Sequence, residues 1–287
     1  MLKYIVMDMD GTLLNSQNQI PPKTKELLIE YQKEGVQLIL ASGRSFHRLM
    51  PIAQELQMFD YGGYFIEIDG IGYYDLKKDE HIVLKSMDTA YIKELVETLI
   101  SLDCEVQVCQ EQTIYAHIPN RLISIKEKLR KEQNVADDFP WTSGPWDYLF
   151  DMRKAYQNIY YFDDINEISG ESLKVQVMDC EEKIEEVFSK MKPFSSQFEF
   201  FRTSHRQIEI LPYGYSKGMT LKYIMDKNNV QRDEVIAFGD GENDVSLFAQ
   251  VDHSIAMGQA RDYVKKQARF VTKSNDEEGI YYALKKG

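Results

Sequence analysis

The chain of 287 residues is 43% hydrophobic and 28% charged, with a net charge of -12, the make-up of a soluble globular protein long enough for two domains or one large one. Its acidity disfavours nucleic acid and anionic membranes, and the segments "KKDE" (77–80) and "KEKLRKE" (126–132) mix signs and read as solvated faces rather than a basic track. The cysteines (Cys104, Cys109, Cys180) fit neither zinc spacing nor a disulfide framework, no apolar run reaches the ~18 residues of a membrane span, and the N-terminus does not read as a signal peptide, so a cytoplasmic protein with reduced thiols is expected.

In chain order, residues 2–8 read as a buried strand. Residues 22–34 form an amphipathic helix with Pro near its start and Gly35 just past its end. "VQLILA" (36–41) is a second strand, 45–57 a second helix, and "YFIEIDG" (64–70) a third strand. This alternation predicts a parallel sheet wrapped by helices. It returns at the other end: a helix at 216–229, a strand at 235–240, a helix at 242–249, a strand at 253–257, a helix at 260–267, a strand near 269–272 and a terminal helix. Between them, roughly 82 to 210 holds alternating strands at 105–110, 113–118, 158–163, 173–178, 198–203 and 207–211, with helices at 88–102, 121–133 and 181–191. That pattern suggests an antiparallel sheet with helices on one face. The expected organisation is an α/β domain of residues 1–82 and 211–287, interrupted by an α+β insert of residues 83–210.

Four short segments stand at the carboxyl ends of strands in the α/β parts, where open α/β sheets bind ligands. In Asp8-Met9-Asp10-Gly11-Thr12, the side chains of Asp8 and Asp10 can converge once Gly11 turns the chain. Two such carboxylates need a positive partner, and an oxygen-only set suits Mg²⁺; a plain Asx-type turn explains the same residues. In "ASGRS" (41–45), Ser42 and the Gly43 amide could hold an anion at a helix N-terminus, or Ser42 or Ser45 could simply cap that helix. In "GYSKG" (214–218), Lys217 falls in the first turn of a helix. A cation is unfavourable there unless it faces a phosphate, though a solvated lysine is an equal alternative. In "FGDGENDVSLF" (238–248), Asp240, Glu242, Asn243 and Asp244 crowd one turn. An EF-hand loop is excluded, because glycine is missing from loop position six and the twelfth residue from Asp240 is Val251. The turn reads better as a metal site shared with the first segment.

"DMDGT", "ASGR", "SKG" and "GDGEND", in this order, resemble the four motifs of the haloacid dehalogenase superfamily, and the large insert resembles the C2-type cap of the Cof-like hydrolases, subfamily IIB, which are mostly sugar-phosphate phosphatases. The resemblance covers nearly the whole chain. It implies a Rossmann-like core with an α+β cap, and an Mg²⁺-dependent phosphatase acting on small phosphate esters. Asp8 would be the nucleophile, forming an aspartyl-phosphate, and Asp10 the general acid and then base. Mg²⁺ would be held by the Asp8 carboxylate, the Asp10 main-chain carbonyl and Asp240, with Asp244 orienting metal-bound water or tying Lys217 in place. Ser42, Gly43, Lys217 and Asn243, with the Met9 amide, would grip the phosphoryl oxygens. An acid at position 10 fits transfer from an alkoxide leaving group, whereas the superfamily's ATPases carry Thr there. One departure is Asp69-Gly70, where many Cof-like members have Asn-Gly; no role is carried onto Asp69.

Within the insert, residues 138–162 hold both tryptophans. They could present Trp141, Trp146 and Arg153 to a sugar or an aromatic leaving group, or pack the insert's own core. "FFRTSHRQ" (200–207) suggests a hairpin whose Arg202, His205 and Arg206 could either contact a ligand or stand solvated at the tip. The five histidines show no metal spacing. An FMN or pyridoxal-phosphate phosphatase, a phosphomutase of the same fold and a non-catalytic phosphometabolite sensor remain alternatives, and oligomeric state is not legible.

Overall fold

The computed structural model describes residues 1–286. From the N-terminus, the strand β1 (Tyr4–Asp8) leads through helix α1 (Pro22–Lys33) to β2 (Gln37–Ala41), then through α2 (Phe46–Glu55) and the short α3 (Met58–Tyr61) to β3 (Gly63–Glu67). A hairpin of β4 (Gly72–Asp75) and β5 (Glu80–Val83) follows. The next stretch contains α4 (Thr89–Ser101), β6 (Glu105–Cys109), β7 (Thr113–His117), α5 (Asn120–Gln133), β8 (Asn158–Tyr161), β9 (Lys174–Met178), α6 (Glu181–Lys190), β10 (Phe198–Ser204) and β11 (Gln207–Pro212). The chain then forms α7 (Lys217–Lys227), β12 (Val235–Gly239), α8 (Val245–Phe248), β13 (His253–Ala256), α9 (Asp262–Gln267), β14 (Phe270–Val271) and α10 (Gly279–Lys286).

Two compact units result. The first joins Met1–Leu84 to the chain from Tyr215 onward. Its eight strands run in the order β14-β13-β12-β1-β2-β3-β4-β5. The six strands from β14 to β3 pair in parallel, and β4 and β5 extend the sheet antiparallel. The sequence reading expected only the parallel part. In "GYYD" and "EHIV" the hairpin is too short to show a strand period, and "LKKD" (76–79) supplies its turn. Alternation along the central strands divides the core in two. Ile5, Met7, Leu38, Leu40 and Phe65 pack toward α1, α2 and α10, whereas Tyr4, Val6, Ile39, Ile66 and Ala237 pack toward α7 and α8. Strands buried on both faces read as continuous apolar runs for this reason.

The second unit, Lys85–Gly214, is the insert. Its six strands run β10-β11-β9-β6-β7-β8, all antiparallel except the β7–β8 pair. Valines and isoleucines on one face (Val106, Val108, Val175, Val177, Ile208, Ile210) meet Ile92, Leu95, Val96 and Leu99 of α4 and Ile184 and Val187 of α6. The other face carries buried polar side chains, among them Glu105, Gln107, Lys174, Gln176, Gln207 and Glu209. One sequence expectation fails here. Lys126, on the mixed-sign stretch of α5, is fully buried rather than solvated. Its ammonium lies 2.8 Å from Glu105 and donates to the Ser143 hydroxyl and to the Trp141 and Tyr148 carbonyls, pinning the loop that bears Trp146.

Candidate active site

Strand register assembles the site. Asp8, the last residue of β1, lies beside Ala41 of β2, and Met7 lies beside Phe238 of β12. Ser42 therefore follows directly on one side of Asp8, and Asp240 on the other, at the common carboxyl edge of three parallel strands. Beyond β1, Gly11 turns the chain at φ +87, which glycine adopts without penalty. A Cβ at Gly11 would stand 2.5 Å from Asp240 Oδ2, so the absence of a side chain also makes room for that carboxylate. Thr12 Oγ1 donates to Asp240 Oδ1 at 2.8 Å.

Asp8, Asp240 and Asp244 each offer a carboxylate oxygen, and the three atoms lie within 4.8 Å of one another. Lys217, almost wholly buried at the first turn of α7, donates from Nζ to Asp8 Oδ1 at 2.6 Å and to Asp244 Oδ1 at 2.8 Å. The solvated-lysine alternative is thereby excluded. Asp244 is tied further, its Oδ2 accepting the Asp240 and Gly241 amides at 3.0 Å each. Its geometry fits the tether to Lys217. Ser216 caps α7, accepting from the Met219 amide at 3.2 Å and so fixing where Lys217 enters the site.

The electrostatics follow from the charge count. Three carboxylates and one ammonium sum to -2 (-3 + 1) at a buried site. Burial first, and the Asp244 charge second, raise the Asp8 pKa well above the carboxylate range, against the pull of Lys217. Burial and Asp244 raise that of Asp240 to about 7. Desolvation works against the Lys217 ammonium, but Asp244, Asp8 and Asp69 outweigh it and hold its pKa above the usual lysine value. Lysine therefore stays charged, and the surplus of negative charge falls on the acids. An all-oxygen donor set with a deficit of two positive charges fits a hard divalent cation such as Mg²⁺.

Asp10 does not join this cluster. Its exposed carboxylate is held by Arg44, with Nε at 3.0 Å from Oδ2 and Nη2 on Oδ1. The sequence reading gave Arg44 no role. Ser42 is buried, and its Oγ accepts the Arg44 amide at 3.2 Å, while Ser45 at the N-cap of α2 makes no side-chain cap bond. The first turn of α2 is satisfied instead by Glu67 Oε2, which accepts the Phe46 amide at 2.6 Å, and Glu67 Oε1 meets His81. Asp69, left without a role by the sequence, is fully buried, and its Oδ1 accepts Asn243 Nδ2 at 2.8 Å, which orients the Asn243 amide. Ile68 and Asp69 both adopt positive φ (46° and 52°), costly for a β-branched residue. Two amides anchor that turn: Ile68 to the Arg44 carbonyl at 3.1 Å and Asp69 to the Ser42 carbonyl at 3.0 Å. The one signal available in sequence was the Asp-Gly pair after β3, since Asp tolerates the left-handed region.

Of the aromatic candidates in the insert, Trp146 is exposed, and Trp141 lies under the Arg130 guanidinium at 4.2 Å. Arg153 is occupied by Asp138 and Asp151. Arg202 is occupied by Glu181 and Glu185, whereas Arg206 is buried, not solvated.

The sequence model of the haloacid dehalogenase-like hydrolases matches residues 5–284. A haloacid dehalogenase-like hydrolase from Bacteroides thetaiotaomicron is 27% identical with a TM-score of 0.75, covering 100% of this chain and 99% of that one. The HAD subclass IIB sugar phosphatase BT4131 is 24% identical with a TM-score of 0.74, over 99% and 98% of the two chains. The Bacillus subtilis 5-amino-6-(5-phospho-D-ribitylamino)uracil phosphatase YwtE is 24% identical, over 99% of this chain and 97% of its own. Because that family model runs through both arms of the core and the whole insert, the chain belongs to the haloacid dehalogenase-like hydrolases.

Proposed function

We propose that this enzyme is a magnesium-dependent phosphatase of small phosphorylated metabolites, sugar phosphates first among them, working through an aspartyl-phosphate on Asp8. The observation that carries the reading is Lys217, buried between Asp8 and Asp244 at the edge of a three-carboxylate cluster. Lys217 holds Asp8 Oδ1, and the other carboxylate oxygen of Asp8 would attack phosphorus in line. Asp8, Asp240 and the Asp10 carbonyl would hold Mg²⁺. Bound there, the ion would neutralise the acids and the phosphoryl oxygens as negative charge develops.

Lys217, the Asn243 amide set by Asp69, Ser42, Gly43 and the Met9 amide would bind the transferring group. Asp10 would give its proton to the leaving alkoxide and then take one from the water that cleaves the aspartyl-phosphate. Its pairing with Arg44 orients it and requires that the two part before Asp10 carries a proton. Sugar phosphates are favoured by the likeness to BT4131, named a sugar phosphatase. A phosphate ester with a ring-bearing polyol chain is a second reading, supported by the name of YwtE. Three free cysteines support a reducing, cytoplasmic setting, and no described helix is long and apolar enough to cross a membrane.

The test is phosphate release from hexose, pentose and polyol phosphates, FMN, pyridoxal phosphate and nucleotides, with Mg²⁺ and with EDTA. Magnesium-dependent release from one class well above the rest is expected. Isomerised product without free phosphate would make it a mutase, and no turnover by folded protein would make it a sensor.

A further inference from the structure

In the inserted unit, the β10–β11 hairpin turns at Ser204–Gln207 and buries the side chain of Arg206, which is 7% exposed. Its guanidinium lies flat on the Tyr148 ring, Cζ 3.4 Å from the centroid. Nε and Nη2 are buried, and no described residue accepts from either. Two buried N–H groups without a partner are costly, because they have given up water without replacement. The nearby carboxylates are spent elsewhere. Glu105 takes Lys126, the Ser143 amide and hydroxyl, and Gln107. Asp179 takes Arg121 and the Cys180 amide.

The surroundings are built rather than loose. The Arg206 amide donates to Ser204 Oγ at 3.1 Å, the Ser204 hydroxyl donates to the Pro145 carbonyl at 2.7 Å, and the Arg206 carbonyl accepts the Asp179 amide at 3.0 Å. Lys126, its ammonium committed to Glu105, fixes the same loop through the Trp141 and Tyr148 carbonyls. Beside them, exposed Trp146 packs on His205 with ring centroids 5.6 Å apart.

We propose that the insert carries an oxyanion-binding site of its own, built on the Arg206 guanidinium over Tyr148, for the carboxylate or phosphate group of a small molecule whose remainder rests on Trp146. Two adjacent N–H groups in a fixed plane match the two oxygens of such a group, and burial makes each charge-assisted bond count for more. This site is independent of the phosphoryl-transfer reading.

The experiment uses full-length protein carrying W141F, which leaves Trp146 as the sole tryptophan, in EDTA and low salt. It is titrated separately with inorganic phosphate and with succinate, following Trp146 fluorescence and the unfolding temperature. A saturable fluorescence change and a rise in Tm are expected. R206M should weaken binding about tenfold or more. Without added anion it should unfold at the same or a higher temperature, since it removes an uncompensated charge. R206K keeps the charge but not the fork and should bind more weakly than Arg206. A response to phosphate alone would assign a phosphate-bearing ligand, and a response to succinate alone a carboxylate. The proposal is overturned if neither anion gives a saturable response, or if R206M or R206K binds like the parent. Phosphate release measured alongside keeps the two readings apart, because its absence would count against the phosphatase mechanism and leave the anion response intact.

Discussion

Asp240 shows how one residue reports the state of the site. Its pKa stands at about 7, above the ordinary 3.8, because it is buried beside Asp244. The folded protein therefore holds a proton there that the unfolded chain releases near pH 4. For an acid raised in this way, stability is present at low pH and is lost as pH climbs from about 4 to about 7. In EDTA, the unfolding temperature should fall between pH 5 and pH 8. Mg²⁺ should restore more at pH 8 than at pH 5, because cation binding needs the carboxylates ionised. Parallel curves with and without Mg²⁺ would contradict a metal at these acids. Asp10→Asn should lower turnover of alkyl phosphates by roughly 10²- to 10⁴-fold, the usual worth of a general acid–base. An aryl phosphate, whose leaving group needs no proton, should suffer less in the first step. Equal losses on both substrates in single-turnover phosphorylation would deny Asp10 the acid's role.

At the scale of elements, the turn after β1 and the helix α5 carry separate tests. Gly11→Ala places a Cβ against Asp240 at positive φ. It should cost about 1–2 kcal/mol of stability and raise the Mg²⁺ concentration needed for half-maximal activity, whereas unchanged metal dependence would show that Asp240 does not need the space. Lys126→Met leaves Glu105 buried without its cation and should cost roughly 3–5 kcal/mol in denaturant unfolding. Adding Glu105→Gln should recover part of that loss, and additive losses would contradict a coupled pair. These two cases also mark what the sequence displayed. The strand–turn–helix sites of Asp8, Ser42 and Asp240 were legible, because a buried parallel strand announces itself as an apolar run and its end is marked by glycine and acids. Lys126 was not, since mixed charge on a helix reads as solvated whichever face meets a sheet. The clue lay across the fold in "EVQVC", where alternation puts Glu105 and Gln107 on the face opposite Val106 and Val108. Arg44 and Asp69 were hidden for a similar reason: their partners, Asp10 and Asn243, lie 34 and 174 residues away.

Taken whole, the molecule is an α/β core interrupted by a cap with its own sheet and its own buried polar network. The thiols report on how firmly the inserted unit is packed. Cys104 is buried, with its pKa pushed up to about 12, and Cys109 is buried with its pKa raised by the same cause, whereas Cys180 is partly exposed. Native protein at pH 8 should thus alkylate at Cys180 alone, and early labelling of Cys104 would reveal opening of the α4–β6 packing. Two-unit organisation was legible because the strand period changes between the arms and the insert; the antiparallel β4–β5 extension was too short to show. The claim on which the enzyme's chemistry rests is the covalent intermediate at Asp8. It is tested most directly by mixing Asp10→Asn protein with an aryl phosphate and Mg²⁺, quenching in acid, reducing with borohydride and sequencing the N-terminal peptide by mass spectrometry. Reduction of an acyl phosphate turns its aspartate into homoserine. Homoserine at position 8, absent without substrate and absent in Asp8→Asn, is the predicted result. Homoserine elsewhere, none at all despite phosphate release, or turnover surviving in Asp8→Asn would contradict it.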